Sequence, residues 1–481
     1  MTHLDDPALW QRDATALSAL IGRGALSPET LLEHFLDRIA RLEPHLNAFA
    51  HLDAEGARAA AAEAGRRARE GRRLGPLDGI PVTVKDNLFV RGMPARWGSL
   101  LFRDFAPEQD DICVERLRAA GAVLLGKTTT PEFALSGRTV SRIGGITRNP
   151  WNPALTPGGS SGGAAASVAA GMAPLAIGTD AGGSTRLPAG YTGLYGLRPS
   201  TGRIARRHGF PPMALDFQVI GPMARSLRDL EMLYGVLAGP DPRDPASLRL
   251  PPPALTAEPA RRLRIGWFDA IGEEAPDPEV AETLREAVGL LASAGGCTVE
   301  EIAPPFDLAA LRGIWSTLTA AGAARVVRRF GDRWQAEATP FILALAQRGL
   351  ALSAADLVDA LDRLAAFRAE VSARAWAELD AIVTPCAPAP AWRAEEEHPA
   401  RIGGRPGSAL TQGMFGGWVN AIGAAALALP GRPHPDGRPI GVQIIAPCGG
   451  ETVVFEIARR LDRAAATDRE RRWPAMAFLD A

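Results

Sequence analysis

Of the 53 basic residues in this 481-residue chain, two are lysines, Lys85 and Lys127. Arginine keeps its proton in proteins, whereas a lysine taken out of water gives it up readily. The lysines are therefore the places to seek a proton-accepting amine. The groups such an amine would serve cluster between Thr156 and Pro199, in TPGGSSGGAAASVAAGMAPLAIGTDAGGSTRLPAGYTGLYGLRP. Two glycine-flanked serine sites stand there. Gly158-Gly159-Ser160-Ser161-Gly162-Gly163 leads into an alanine-rich stretch, and Asp180-Ala181-Gly182-Gly183-Ser184 follows the apolar run Leu175–Ile177. A serine on a glycine turn after a strand sits at the carboxyl end of a sheet, where ligands collect. The glycines let main-chain N–H groups approach a substrate oxygen. A serine hydroxyl becomes a nucleophile when a base removes its proton. None of the seven histidines (His3, His34, His45, His51, His208, His398, His434) falls in either motif, which leaves a neutral lysine.

Each feature also has an ordinary explanation. Serine before an alanine-rich helix serves as an N-cap, and Gly-Gly-Ser is a common turn. Glycine turns before helices bind phosphate too, but neither segment ends in the Gly-Lys-Ser/Thr of a P-loop. Gly126-Lys127-Thr128 has that ending, yet Val123, Leu124 and Leu125 before it read as strand.

The elements that must position these residues follow from periodicity. Residues 8–70 read as helices, with apolar positions at helical spacing, a start signal at Ser27-Pro28-Glu29, and a solvated helix over Ala54–Arg73. Short apolar runs bounded by Gly and Pro then predict a strand at Ile80–Val84, a helix at Ile112–Ala120 and a strand at Ala122–Leu125 ending at Gly126. Beyond the proline-rich stretch 238–262, a strand at Ile265–Phe268, a helix started by Asp277-Pro278 and a strand at Thr298–Ile302 form a second unit. Helices fill about 307–378, strands follow at Ala381–Thr384 and Ile440–Ile445, and a last helix spans Glu451–Ala465. Such alternation predicts an α/β fold with a partly parallel sheet. The expected organisation is one domain: a helical segment 1–73, a motif-bearing half 76–237, the connection 238–262, and a second half 263–481 feeding the same sheet.

Composition narrows the function. With 46% hydrophobic and 22% charged residues and a net charge of −1, the chain is globular and lacks a field that draws nucleic acid or anionic lipid. The four cysteines (Cys113, Cys297, Cys386, Cys448) lie far apart and read as small buried hydrophobes. Histidine spacing indicates no metal site. The start of the chain lacks a basic segment before an apolar one, and the uncharged runs Gly158–Thr179 and Gly413–Gly431 are too rich in Gly, Ala and Ser for membrane spans. A cytoplasmic protein is expected. Arginine pairs such as Arg206-Arg207, Arg261-Arg262 and Arg328-Arg329 read as solvated surface.

Together the motifs resemble the amidase signature family of serine hydrolases. The resemblance is carried by Gly79–Asn87 (GIPVTVKDN), Gly158–Gly163 (GGSSGG), Gly178–Ala189 (GTDAGGSTRLPA) and Gly196–Ile204 (GLRPSTGRI), with Ser160 75 positions after Lys85 and Ser184 24 after Ser160. Weaker similarity extends to 126–133 and 437–443, and 285–410 is least informative. The resemblance implies an amidase-signature α/β fold, a large twisted mixed sheet covered by helices on both faces. It implies Ser184 as nucleophile, Ser160 as bridging serine and substrate contact, and Lys85 as base. The N–H groups of Ala181, Gly182, Gly183 and Ser184 would form the oxyanion hole, and Ala134 would line the acyl pocket. Asp180 and Arg186 would hold the loop, Ser161 would cap the helix, Asp86 and Asn87 would shape the turn after Lys85, and Lys127 would be structural. No metal or cofactor is implied. The partners are a small-molecule amide and water, without nucleic acid or membrane, and a homodimer is left open.

The leading expectation is a stand-alone hydrolase of amide C–N bonds, with esters or carbamates as further substrates. The family also contains the A subunit of glutamyl-tRNA amidotransferase, a glutaminase within a multi-subunit complex, although residues 312–345 show no match to that subunit's glutamine-binding region. A non-catalytic binding protein is the third reading. Specificity is expected from the variable region 307–420, where Trp315, Trp334, Phe341, Phe415 and Trp418 are either core residues or pocket lining.

Overall fold

The computed structural model describes residues 9–251 and 262–465, so positions 252–261 of the proline-rich connection, Arg261 included, and His3 lie outside the described residues. In chain order the strands of the first half are β1 (Phe49–Leu52), β2 (Pro81–Lys85), β3 (Val123–Thr128), the short pair β4 (Val140–Ser141) and β5 (Gly145–Ile146), β6 (Leu175–Asp180), β7 (Tyr195–Arg198) and β8 (Val219–Ala224). The second half supplies β9 (Leu263–Trp267), β10 (Cys297–Glu301), β11 (Ala381–Pro385), the short pair β12 (Arg401–Ile402) and β13 (Arg405–Pro406), β14 (Ala425–Pro430) and β15 (Gly441–Ala446). Both halves feed one 11-stranded sheet in the order β1-β3-β2-β6-β8-β7-β14-β15-β11-β9-β10. It is mixed: β3, β2 and β6 run parallel, as do β11, β9 and β10, while β8, β7, β14 and β15 join them through antiparallel pairs.

Helices cover both faces because successive strand side chains point to opposite sides. Leu175, Ile177, Leu427, Ile444 and Val383 enter one core, which also holds residues of α1 (Ala14–Gly22), α2 (Pro28–Leu46), α4 (Ile112–Ala119), α7 (Leu227–Leu237), α8 (Pro278–Ser293) and α15 (Glu451–Ala465). Their neighbours Ala426, Ile382 and Ile445 face the opposite core, with α9 (Leu308–Val327), α12 (Ala354–Trp376) and α14 (Gly417–Ala421). Ala176 and Ala428 pack instead with α5 (Gly162–Ala169) and α6 (Arg186–Thr192), where small residues let helix and sheet approach closely.

Several local expectations change. Strand β3 does not stop at Gly126 but runs through it to Thr128; Gly126 adopts φ +153° at a register shift in the pairing of β2 with β3, and a Cβ there would lie 2.1 Å from His51 O. The region 307–378 is broken into α9, α10 (Arg333–Glu337), α11 (Pro340–Ala351) and α12. Strands β1, β7, β8 and β14 carried no sequence signal strong enough to name them. Cys113, Cys297 and Cys386 are buried as expected, but Cys448 is exposed, since it falls in the turn between β15 and α15. No single helix among the described residues is long and apolar enough to cross a membrane; α11 and α12 reach that length and composition only jointly, across a 103° bend.

Candidate active site

Lys85 ends β2 beside β6, whose last residue is Asp180. Period-2 alternation sends Val82 and Val84 into the core under one face. It leaves Thr83 and Lys85 on the other, where Thr83 meets Ser167 of α5 at 3.1 Å. The serine loop before α5 fits there because it lacks side chains. A Cβ on Gly159 would lie 2.6 Å from Ser136 O, and one on Gly163 would lie 2.5 Å from Thr129 N. Thr139 Oγ1 clamps the loop by donating to Gly158 O at 2.8 Å and accepting from Gly162 N at 3.1 Å. The Gly159–Ser160 peptide is cis.

The structure seats Lys85 against the serine loop. Lys85 is fully buried, and its Nζ donates to Ser160 Oγ at 2.7 Å, Ser161 Oγ at 2.9 Å and Thr179 Oγ1 at 3.0 Å. Burial pushes its amine well below the ordinary lysine range; Asp180 opposes this and the Arg206 guanidinium adds to it. Ser161 occupies the N-cap position of α5, but its hydroxyl does not cap the helix. It donates to Thr179 O at 3.1 Å and faces Lys85; its backbone, at φ −97° and ψ 36°, is not the extended conformation a capping residue adopts. Lys127, also buried, donates to Leu88 O at 2.6 Å and pairs with Asp86 at 3.6 Å. Asn87 donates to Thr179 Oγ1 at 3.0 Å.

Ser184 stands four residues past β6. Its carbonyl accepts from Ser161 N at 3.1 Å, which lays the two serine segments side by side. The residue is half-buried, and its hydroxyl makes no hydrogen bond among the described residues. Asp180 shapes the intervening loop by accepting from Gly183 N at 2.8 Å and Thr185 N at 3.1 Å. The Gly183 N–H expected in the oxyanion hole is thus already engaged. The N–H groups of Ala181, Gly182 and Ser184 find no acceptor among the described residues. Gly183 itself needs φ +109°.

A buried ion pair holds this loop. Arg186 donates to both Asp180 oxygens at 3.0 Å, to Gln443 Oε1 at 2.7 Å and to Asn420 Oδ1 at 2.6 Å. Asn420 Nδ2 returns a bond to Asp180 Oδ1 at 2.9 Å. Burial alone would raise the Asp180 carboxyl, but Arg186 and the further bonds hold it well below the usual carboxylate range. Sequence reasoning missed Thr179, Asn420, Gln443 and Gly416. Thr179 lies inside the GTD run and Gln443 ends the 437–443 similarity, so both carried a signal; Asn420 sits in an uncharged stretch and carried none. A Cβ on Gly416 would lie 2.3 Å from Gly182 O.

Trp315 borders the Ser184 loop: a Cβ on Gly182 would lie 3.4 Å from its Cη2. Trp334, Phe415 and Trp418 are core, and Phe341 is exposed on α11. Ala134 is half-buried at φ +58°, packed against the cluster that includes Trp97 and Phe133. Among the described residues no group of three or more His, Cys, Asp or Glu side chains is placed to hold a metal ion.

The fold is that of an amidase-signature hydrolase acting on C–N bonds. The amidase family's sequence model matches residues 30–455, and the chain belongs to that family. It is 34% identical to the A subunit of glutamyl-tRNA(Gln) amidotransferase from Acidothermus cellulolyticus, over 95% of both chains. Among solved structures it resembles 6-aminohexanoate cyclic dimer hydrolase bound to substrate (TM-score 0.85, 30% identity, 97% of this chain and 99% of that one). It also resembles a bacterial aryl acylamidase of the amidase signature family (TM-score 0.86, 26% identity, 98% of each chain).

Proposed function

We propose that this protein hydrolyses an uncharged amide through Ser184, Ser160 and Lys85, passing through an acyl-enzyme. The observation that carries the proposal is a wholly buried amine 2.7 Å from Ser160 Oγ. Held neutral by burial, Lys85 accepts the Ser160 proton while Ser160 accepts that of Ser184, and Ser184 Oγ adds to the carbonyl carbon. The carbonyl π pair moves onto oxygen, where the N–H groups of Ala181, Gly182 and Ser184 receive it. Collapse breaks the C–N bond as the relay returns a proton to the leaving nitrogen. Water then releases the acyl group by the same path.

The surroundings favour an apolar or aryl group on the substrate. Trp315 lies against Gly182, Leu187 lies against Gly183, and the nearest charges, Asp180 and Arg186, are spent on each other. A free glutamine would need fixed partners for both its carboxylate and its ammonium. The second reading, a glutaminase component of an amidotransferase, is favoured by the relatives of that name. A panel of anilides, primary amides, ureas, carbamates and glutamine, ranked by kcat/KM, separates the two. We expect anilides or alkyl amides to lead. Turnover confined to glutamine, together with companion subunits in a pull-down, overturns the stand-alone reading.

A further inference from the structure

Three hydroxyls surround Lys85 Nζ, and the relay uses one of them, Ser160. The proton of Ser161 is committed to Thr179 O at 3.1 Å, so Ser161 Oγ faces the amine as an acceptor at 2.9 Å. Thr179 Oγ1 lies 3.0 Å from Nζ and is held from behind by Asn87 Nδ2, also at 3.0 Å. A neutral amine offers two N–H groups and an ammonium three; Ser160, Ser161 and Thr179 supply three hydroxyl acceptors within 3.0 Å, with Thr179 O farther off at 3.5 Å. We infer that Thr179 and Ser161, with Asn87 behind Thr179, form a socket for the ammonium that Lys85 becomes during acylation, and that Thr179 is a positioning residue of the reaction.

The inference rests on the Ser184–Ser160–Lys85 reading. In that step one proton leaves Ser184 Oγ for Ser160 Oγ, a second leaves Ser160 Oγ for Nζ, and the Ser184 Oγ–carbon bond forms. The positive charge arises where water is excluded, and an ammonium there is costly unless its hydrogens are bonded. The charged groups that face it are few. Asp180 stands at the end of β6, Arg206 lies beyond β7, and Asp86 with Lys127 close on each other at the ends of β2 and β3. The adjoining helix α5 contributes none. The hydroxyl socket therefore supplies much of what makes protonation attainable. Removing an acceptor disfavours the ammonium, so the amine titrates at lower pH and is a weaker base.

The test reads the rate at which a fluorophosphonate labels Ser184 between pH 5 and 10 (roughly the span of a perturbed lysine), which needs no knowledge of the substrate. In Thr179→Val we expect the acidic limb of the profile to move down by about one pH unit and the plateau rate to fall about ten-fold. Thr179→Ser, which keeps the hydroxyl, restores both. An unmoved limb in Thr179→Val, whether or not the plateau falls, overturns the inference, because a merely structural loss lowers the plateau alone. Should Thr179→Val not fold, Ser161→Ala is read against the same criteria. Lys85→Ala labelled as fast as wild type overturns the triad reading itself, a distinct result.

Discussion

At the residue scale the reading turns on Lys85. Guanidinium cannot give up its proton at working pH, so Lys85→Arg should abolish turnover, with kcat reduced at least about a thousand-fold and the circular-dichroism spectrum unchanged. Near-wild-type activity would refute the assignment. A fluorophosphonate adduct mapped by mass spectrometry should sit on Ser184; an adduct elsewhere counts against the nucleophile. Burial also gives stability a pH dependence. The Lys85 amine is shifted below its unfolded value of about 10.4, so over the window between its folded and unfolded pKa the unfolded chain binds more protons, and wild-type stability rises with pH. Lys85→Met lacks that slope. Its stability minus that of wild type should therefore fall as pH rises through the window, by up to about 1.4 kcal/mol per pH unit. Parallel curves in urea titrations would disprove a neutral buried amine.

At the element scale the site depends on close approach more than on strength of contact. Helix α5 can seat its serine loop only because glycines precede and begin it: a Cβ on Gly163 would meet both Thr129 N and Ala48 O within 2.6 Å. Those are main-chain atoms with nowhere to retreat. Gly163→Ala should cost about 1–3 kcal/mol and lower kcat more than it raises KM, since the loop carrying Ser160 must shift. A variant with wild-type stability and kcat would show the packing to be looser than described. Trp315, on α9, is a different case, because it borders Gly182 without filling the core. Trp315→Ala should raise KM for anilides several-fold while leaving the labelling rate of Ser184 near wild type; unaltered KM across the amide panel would remove it from the pocket.

At the scale of the whole molecule, the sheet joins the two halves and the buried Arg186 network ties the Ser184 loop to both. Asp180 and Arg186 come from the first half, Asn420 and Gln443 from the second. Removing one partner of such a pair leaves an uncompensated buried charge. Arg186→Met should therefore destabilise by about 3–5 kcal/mol, read as a lower urea midpoint, and should slow Ser184 labelling; an unchanged midpoint would mean the second half does not hold the loop.

The sequence by itself determined the family, the candidate residues and the outline of the fold. Two lysines in a chain of arginines, serines flanked by glycine and alternating short apolar runs are local features, and local features survive in one dimension. They pointed to the two lysines, the two glycine-flanked serine sites and an α/β sheet fed by both halves, while the roles expected of Lys85, Ser160, Ser184, Asp180 and Arg186 came from the resemblance to the amidase signature family. What only the tertiary structure decided is how hydrogen bonds are shared among groups brought together from distant positions. Ser161 reads as a cap and instead faces the lysine, because β6 brings Thr179 beside it. The Gly183 N–H reads as an oxyanion donor and is already taken by Asp180. Trp315 and Trp418 look alike in sequence, yet one borders the Ser184 loop at Gly182 and the other fills the core. Each outcome depends on which acceptor or surface lies nearest in space, and spacing along the chain does not encode that.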